Sequence, residues 1–312
     1  MKIKLWYRVR TSLVGVLRVL LAVALCVVSF CAVASAAVQA VVLNPDTYTA
    51  YTQRAAFREQ MKTYAYTALE DEFLYYNFPL SLCETMLPSS TIDAFAYDYG
   101  AAIYRAIATD EGLKTPQLDA RPFIHAVEQF YATLPEDERP TDEDAAAVGN
   151  DLANVMQIVL DAGMLSKVVN YADDIIPQPL LHMFADTVWV WIAVAVVLGV
   201  VLIALNRKKK VYQLYLTVFA CHIGTALFFV PVWLLHRYSL TSRLSVGPSP
   251  MKLYLEGIVT SVTEGLQTVA LYPLVITALL TVVAVVWFLC LDRRVKTTID
   301  ETEKIPYNGQ DQ

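Results

Sequence analysis

The chain has 312 residues, 56% of them hydrophobic and 17% charged, with a mean hydropathy of +0.44. Soluble domains carry roughly 25% charged residues, so this composition excludes a wholly soluble protein and calls for a bilayer to cover its apolar surface. The net charge of −6 hides a division: residues 44–186 hold 23 acidic and 8 basic side chains, a net of −15, and the rest of the chain holds 7 acidic and 16 basic, a net of +9.

The basic N-terminus, residues 1–18, carries Lys2, Lys4, Arg8 and Arg10 and reads as cytoplasmic. Val19–Leu43 follows as 25 uncharged residues, and a transmembrane helix needs about 20. Ala34-Ser35-Ala36 resembles a signal-peptidase site, but the run exceeds the roughly 7–15 residues of a signal h-region. A retained signal anchor is expected. Ala32, Ala36 and Ala40 form a small-residue stripe of the kind that lets helix backbones approach closely.

Residues 44–186 read as an acidic, all-α extracytoplasmic domain. Asn44 as a cap and Pro45 at the first helical position open a long helix whose apolar positions are Phe57, Met61, Tyr64, Ala68, Phe73 and Tyr76, ended at Asn77-Phe78-Pro79. A short helix follows over Leu80–Leu87. Ser90 and Asp93 have the spacing of a capping box, ahead of a stripe of Ile92, Phe95, Tyr99, Ile103 and Ile107. Asp119 caps a helix over Arg121–Leu134 with Phe123, Val127, Phe130 and Leu134 facing in. Thr141 and Asp144 form a second capping-box pattern, leading into Val148, Leu152, Val155 and Val159. No period-2 segment is present. Many tyrosines, among them Tyr48, Tyr51, Tyr64, Tyr75, Tyr97 and Tyr131, suit core edges or a partner surface. Cys83 stands alone here, and no Asn-x-Ser/Thr sequon occurs in the chain. Together these point to bacterial rather than eukaryotic export.

The acidic run Glu136-Asp137-Glu138 with Asp142-Glu143-Asp144 lacks the alternating ligands and central glycine of a calcium loop and reads as a solvated turn. His125 and Glu128 share a helical face but have no second ligand pair. No metal site and no cofactor is expected. An acidic domain repels nucleic acid and favours a basic ligand or a protein partner with a positive surface.

Thr187–Leu205 is the second expected span, 206–210 (Arg207, Lys208, Lys209, Lys210) a basic cytoplasmic link, Val211–Leu235 the third span and Val269–Leu291 the fourth. The tail 292–312 carries Arg293, Arg294 and Lys296 and is expected to be disordered from Lys304. Alternating basic flanks put both termini in the cytoplasm and residues 44–186 and 236–268 outside. Within the spans, His222 beside Cys221 is the one polar position of note. The metal or proton-relay reading has no intramembrane carboxylate or cation to support it, so a neutral imidazole bonded to a neighbouring helix is expected. Ala195/Gly199 and Ala220/Gly224 are further packing stripes, within the chain or in a homo-oligomer.

The second outer loop carries Arg237, Arg243 and Lys252 and, beyond Ser249-Pro250, an amphipathic helix with Leu255, Val259, Val262 and Leu266, running into the fourth span. It either docks on the acidic domain, its cations towards carboxylates, or lies on the membrane surface.

The chain carries none of the zinc-protease, nucleophile-elbow, P-loop or dinucleotide-binding patterns. The expected fold is an all-α integral membrane protein with about four spans and an acidic helical domain between the first and second. The expected role is a non-enzymatic envelope protein whose outer domain binds a partner. The alternative is a transporter or permease-like subunit. The layout resembles that of four-span permease-like subunits, although the link 206–210 leaves little room for the coupling helix such subunits present to an ATPase.

Overall fold

The computed structural model describes residues 2–109, 112–164, 178–205, 210–238 and 248–303. The elements among them are helical throughout, with no strand. Two compact units result. An apolar unit is formed by Met1–Ala37, Phe184–Leu234 and Leu266–Gln312, and a bundle unit by Val38–Met183 and Leu235–Gly265.

The apolar unit contains α1 (Lys2–Ala37), α9 (Val188–Ala204), α10 (Lys210–Arg237) and the later part of α11 (Ser249–Glu303). Three stretches are long and apolar enough to cross a bilayer: Leu13–Val42, Gln213–Arg237 and Ser249–Cys290. The helix α9, expected as the second span, is shorter at 17 residues, or about 26 Å against a hydrocarbon core of about 30 Å. It packs along α1. The hydroxyl of Ser35 donates to the Phe184 carbonyl, so the alanine-rich part of α1 faces a neighbour. Phe30 meets Phe228 edge-on at 5.8 Å, and Gly224 lets α10 approach so near that a Cβ there would fall on the Cys26 carbonyl oxygen. The remaining faces, with Val196, Val200, Leu279 and Val283, are exposed apolar surface of the kind lipid covers.

In the bundle unit, a π-helical turn, Val38–Val42, ends the first helical run. The chain then turns back on it: Thr47 Oγ1 donates to Val41 O at 2.7 Å, Tyr48 OH to Val42 O at 2.9 Å and Asn44 Nδ2 to Ala40 O at 3.4 Å. These side chains satisfy carbonyls that a helix end leaves orphaned. The long helix expected from Asn44 is therefore divided. A single turn, α2 (Asp46–Thr49), starts after Pro45, which takes the cap position expected of Asn44; Asn44 Oδ1 accepts from Asp46 N at 3.0 Å. Arg54 is extended, and α3 (Ala55–Tyr76) begins after it.

The buried line of α3 is Phe57, Met61, Ala65, Leu69 and Phe73. Tyr64, Ala68 and Tyr76 flank it, because a strict four-residue repeat gives a continuous apolar ridge while the tyrosine hydroxyls stay near water. Asn77 closes α3 in the left-handed conformation, φ 55°. After α4 (Cys83–Met86), α5 (Ser89–Ala108) starts with no side-chain cap. The expected box fails because Asp93 faces Arg58 at 3.4 Å instead. Asp119 Oδ1 does accept from the amide of Arg121 at 3.0 Å at the start of α6 (Arg121–Ala132). Thr141 and Asp144 make both bonds of a capping box on α7 (Asp142–Gly163). Gly149 lets α7 close onto the Ile124 backbone of α6. The last helix of the bundle sequence, α8 (Gln178–Asp186), places His182 Nε2 at 2.7 Å from the Ala108 carbonyl at the end of α5.

The first residues of α11 complete this core. Met251 and Tyr254 are buried, Tyr254 OH donates to Tyr48 O at 3.0 Å, and its ring lies 5.7 Å from that of Phe57. The expected stripe Leu255, Val259, Val262 is half-buried, and the inward face is Met251, Tyr254 and Gly257. The register is set by the tyrosine, the largest apolar group available and one that needs a buried acceptor. The expected loop helix and fourth span form one unbroken helix.

Candidate functional site

A ridge of five apolar residues on α3 leaves its opposite face to solvent. At 100° per residue, Ala56, Glu59, Thr63, Thr67, Glu70 and Leu74 fall within an arc of about 80°, and all six are exposed. Between this face and the start of α11 lies a groove of about 610 Å³, lined by Ala56, Glu59, Gln60, Thr63, Tyr64 and Thr67, with Ser249 opposite.

The walls of this groove are largely apolar, and its few polar groups are mainly hydrogen-bond acceptors. The hydroxyl protons of Thr63 and Thr67 are donated to Glu59 O and Thr63 O, each at 2.9 Å, so both oxygens turn lone pairs outward. Gln60 Oε1 is buried and has no hydrogen-bond partner among the described residues. Glu59 adds a carboxylate. The cations nearby in sequence are engaged elsewhere: Arg58 with Asp93, Lys62 over the Tyr66 ring at 5.3 Å and Arg54 over the Tyr51 ring at 4.9 Å. A groove whose few polar groups are acceptors, with one formal negative charge and no cation in its lining, suits an ammonium or guanidinium group carried on an apolar stem.

Comparison with protein-family models, with curated proteins and with solved structures finds no match.

The residues singled out in the sequence are scattered. His222 Nδ1 lies 3.1 Å from Thr277 Oγ1, so the imidazole of α10 is bonded to α11. The thiol of Cys221 bonds to Ser29. Neither is joined by a carboxylate, and no group of three metal-ligating side chains occurs among the described residues. Arg237 and Lys252 are exposed and form no ion pair among the described residues, and Arg243 lies outside them, as do Arg207, Lys208 and Lys209, residues 165–177 and Lys304–Gln312. Of the packing stripes, Gly199, Ala220 and Gly224 are buried; Ala32, Ala36 and Ala195 are half-buried and Ala40 is exposed. His125 bonds to Gln129 and faces Glu128 at 3.7 Å, all on the surface. In the acidic run, Asp144 is engaged in the Thr141 cap, while Arg139 turns away to the Ala132 and Leu134 carbonyls.

Of the groove residues the sequence draws attention only to Tyr64, as part of an apolar stripe, and Ser249, ahead of a proline; Ala56, Glu59, Gln60, Thr63 and Thr67 it does not mark. Their signal is a four-residue polar repeat, Glu59, Thr63 and Thr67, running beside an apolar one. It is visible once the buried line is known to be Phe57–Met61–Ala65 rather than one drifting through Tyr64.

Proposed function

We propose that this chain is a non-enzymatic multi-pass membrane protein whose acidic helical domain recognises a cationic partner in the α3 groove. The observation that carries the reading is the charge pattern of the groove: Glu59 and two threonine oxygens facing outward are its polar groups, and the nearby arginines and lysine are turned elsewhere. The net charge of −15 over residues 44–186 supports it by drawing cations towards this unit.

In this reading four helices cross the membrane, with both termini cytoplasmic and residues 44–186 outside. The short α9 serves as a span because it is largely aliphatic and carries Trp189 and Trp191 at its first turn, where they suit the headgroup boundary. Occupancy of the groove is conveyed along the chain through α11, whose first turns belong to the bundle core and whose later turns belong to the apolar unit.

The test is binding of spermine and of octalysine to the full chain in detergent micelles, in low and moderate salt. The reading expects saturable binding that weakens with salt, and a loss of about tenfold or more in Glu59→Lys. Equal affinity of wild type and Glu59→Lys for both probes contradicts it.

A further inference from the structure

At its C-terminal end α3 runs into an aromatic cluster that the groove does not use. Phe78, buried just past the Asn77 cap, meets Phe73 and Phe130 edge-on at 5.6 and 5.2 Å and lies 6.0 Å from the ring of Tyr131. Tyr76 stacks on Phe78 at 5.7 Å, and Tyr75 stands at 90° to Tyr76 with ring centroids 4.9 Å apart. Phe78 thus ties the outer pair to the core, while Tyr75 itself is 78% exposed. The two ring planes make a corner. A group resting about 4–5 Å over one ring there lies within about 6 Å of the other, the reach of a cation–π contact.

Charge around this corner has one sign. Burial and then the carboxylate of Asp151 on α7, with Tyr75 and Glu72 next, push the Tyr76 pKa up, so carboxylates of two helices lie near its hydroxyl. No lysine or arginine occurs in residues 63–104, 122–138 or 140–166. Arg139 is bound to the Ala132 and Leu134 carbonyls. Elsewhere in the bundle, ring faces are taken by the chain's own cations, Arg54 over Tyr51 and Lys62 over Tyr66. Neither Tyr75 nor Tyr76 is covered in this way among the described residues.

We propose that the Tyr75–Tyr76 corner binds a quaternary ammonium group, of the trimethylammonium kind carried by choline. The site is separate from the α3 groove and does not rest on it. A primary ammonium group is strongly hydrated and seeks acceptors for its three protons, which ring faces offer poorly. A guanidinium group is flat and lies over one ring, as Arg54 does over Tyr51. A trimethylammonium group is round, donates no hydrogen bond and sets methyl groups against both walls of a corner, so it gains from each ring and from Glu72 and Asp151 nearby. A neutral apolar group of the same shape gains from the rings alone.

The experiment is saturation-transfer NMR on the full chain in maltoside micelles at about 0.15 M salt. The aromatic protons are saturated, and transfer to the methyl protons of choline is followed as choline is titrated. Transfer is expected to saturate, and the affinity to fall about fivefold or more for the neutral isostere in which carbon replaces the nitrogen of choline. Tyr75→Leu keeps an apolar contact, removes a ring face and is expected to cost as much; the side chain is exposed, so the fold is not at stake. Glu59→Lys leaves choline binding unchanged, since Glu59 lies sixteen residues back on α3, about 24 Å away and beyond the screening length. Phosphocholine separates the sources of the ammonium group: weaker binding than choline assigns a free cation, and equal or tighter binding, still lost in Tyr75→Leu, assigns a lipid headgroup.

Equal binding of choline and its neutral isostere, no loss in Tyr75→Leu, or no saturable transfer overturns the inference. If choline binding is lost in Glu59→Lys and kept in Tyr75→Leu, the cation sits in the groove; the reading of the groove then stands and this inference falls.

Discussion

Single carboxylates in the bundle have roles their positions in sequence only partly disclose. The guanidinium side chain of Arg121, and then its amide, hold Asp119 below the ordinary value of 3.8; the Thr141 hydroxyl and then its amide do the same for Asp144. A carboxylate whose folded pKa is lowered contributes stability that is complete above its unfolded value and is lost as pH falls through the folded one. The acid limb of unfolding, followed by circular dichroism below pH about 4, is therefore expected to be shallower in Asp119→Asn/Asp144→Asn than in wild type, with the variant less stable at neutral pH. An identical acid slope contradicts this. Asp161 runs the other way, since burial raises its pKa and the Gln157 bond opposes that only in part. The Thr141 cap was legible in the sequence because a capping box is local. The Ser90–Asp93 pattern misled because Asp93 answers to Arg58, 35 positions away in the chain.

At the level of elements, close approach governs. Gly224 sits where a Cβ would meet the Cys26 carbonyl oxygen, whereas Gly15 has nothing within 4 Å. Gly224→Ala is expected to destabilise the protein by about 1–3 kcal/mol in detergent unfolding, the usual cost of overpacking, and Gly15→Ala to leave it unchanged or slightly more stable. Equal behaviour of the two contradicts the packing of α10 on α1. In the bundle, Tyr254→Phe strands the buried Tyr48 carbonyl and is expected to cost about 1–3 kcal/mol; a loss below a few tenths removes that bond as the anchor of α11. Apolar periodicity announced α5, α6 and α7, and four of the five residues expected to face inward on α5 are buried. On α7 only Leu152 of the expected four is buried, because small residues, Ala145, Gly149 and Ala153, turn the inward face towards Met156 and Leu160. Periodicity missed the division between α2 and α3, which depends on side chains reaching back to the Val41 and Val42 carbonyls, and it displaced the buried faces of α3 and α11, where tyrosines compete with smaller apolar residues for the core.

For the whole molecule, the alternation of apolar runs and basic flanks made a multi-span helical protein legible, and the three long apolar helices agree with that outline. The groove was not legible, because it is made by a helix face and the start of a segment nearly two hundred residues later, Ser249. The placement of the bundle relative to the bilayer is the claim on which the rest depends. Cys83 is unsuited to probe it: the thiol is 5% exposed, and burial, with Glu70 second, pushes its pKa up to about 11, so it is protonated and shielded at neutral pH. The exposed turn before α7 is suited, through Asp137→Cys. A membrane-impermeant maleimide applied to intact cells is expected to label Asp137→Cys fully and the parent chain hardly at all. Labelling of Asp137→Cys only after the membrane is permeabilised contradicts the account.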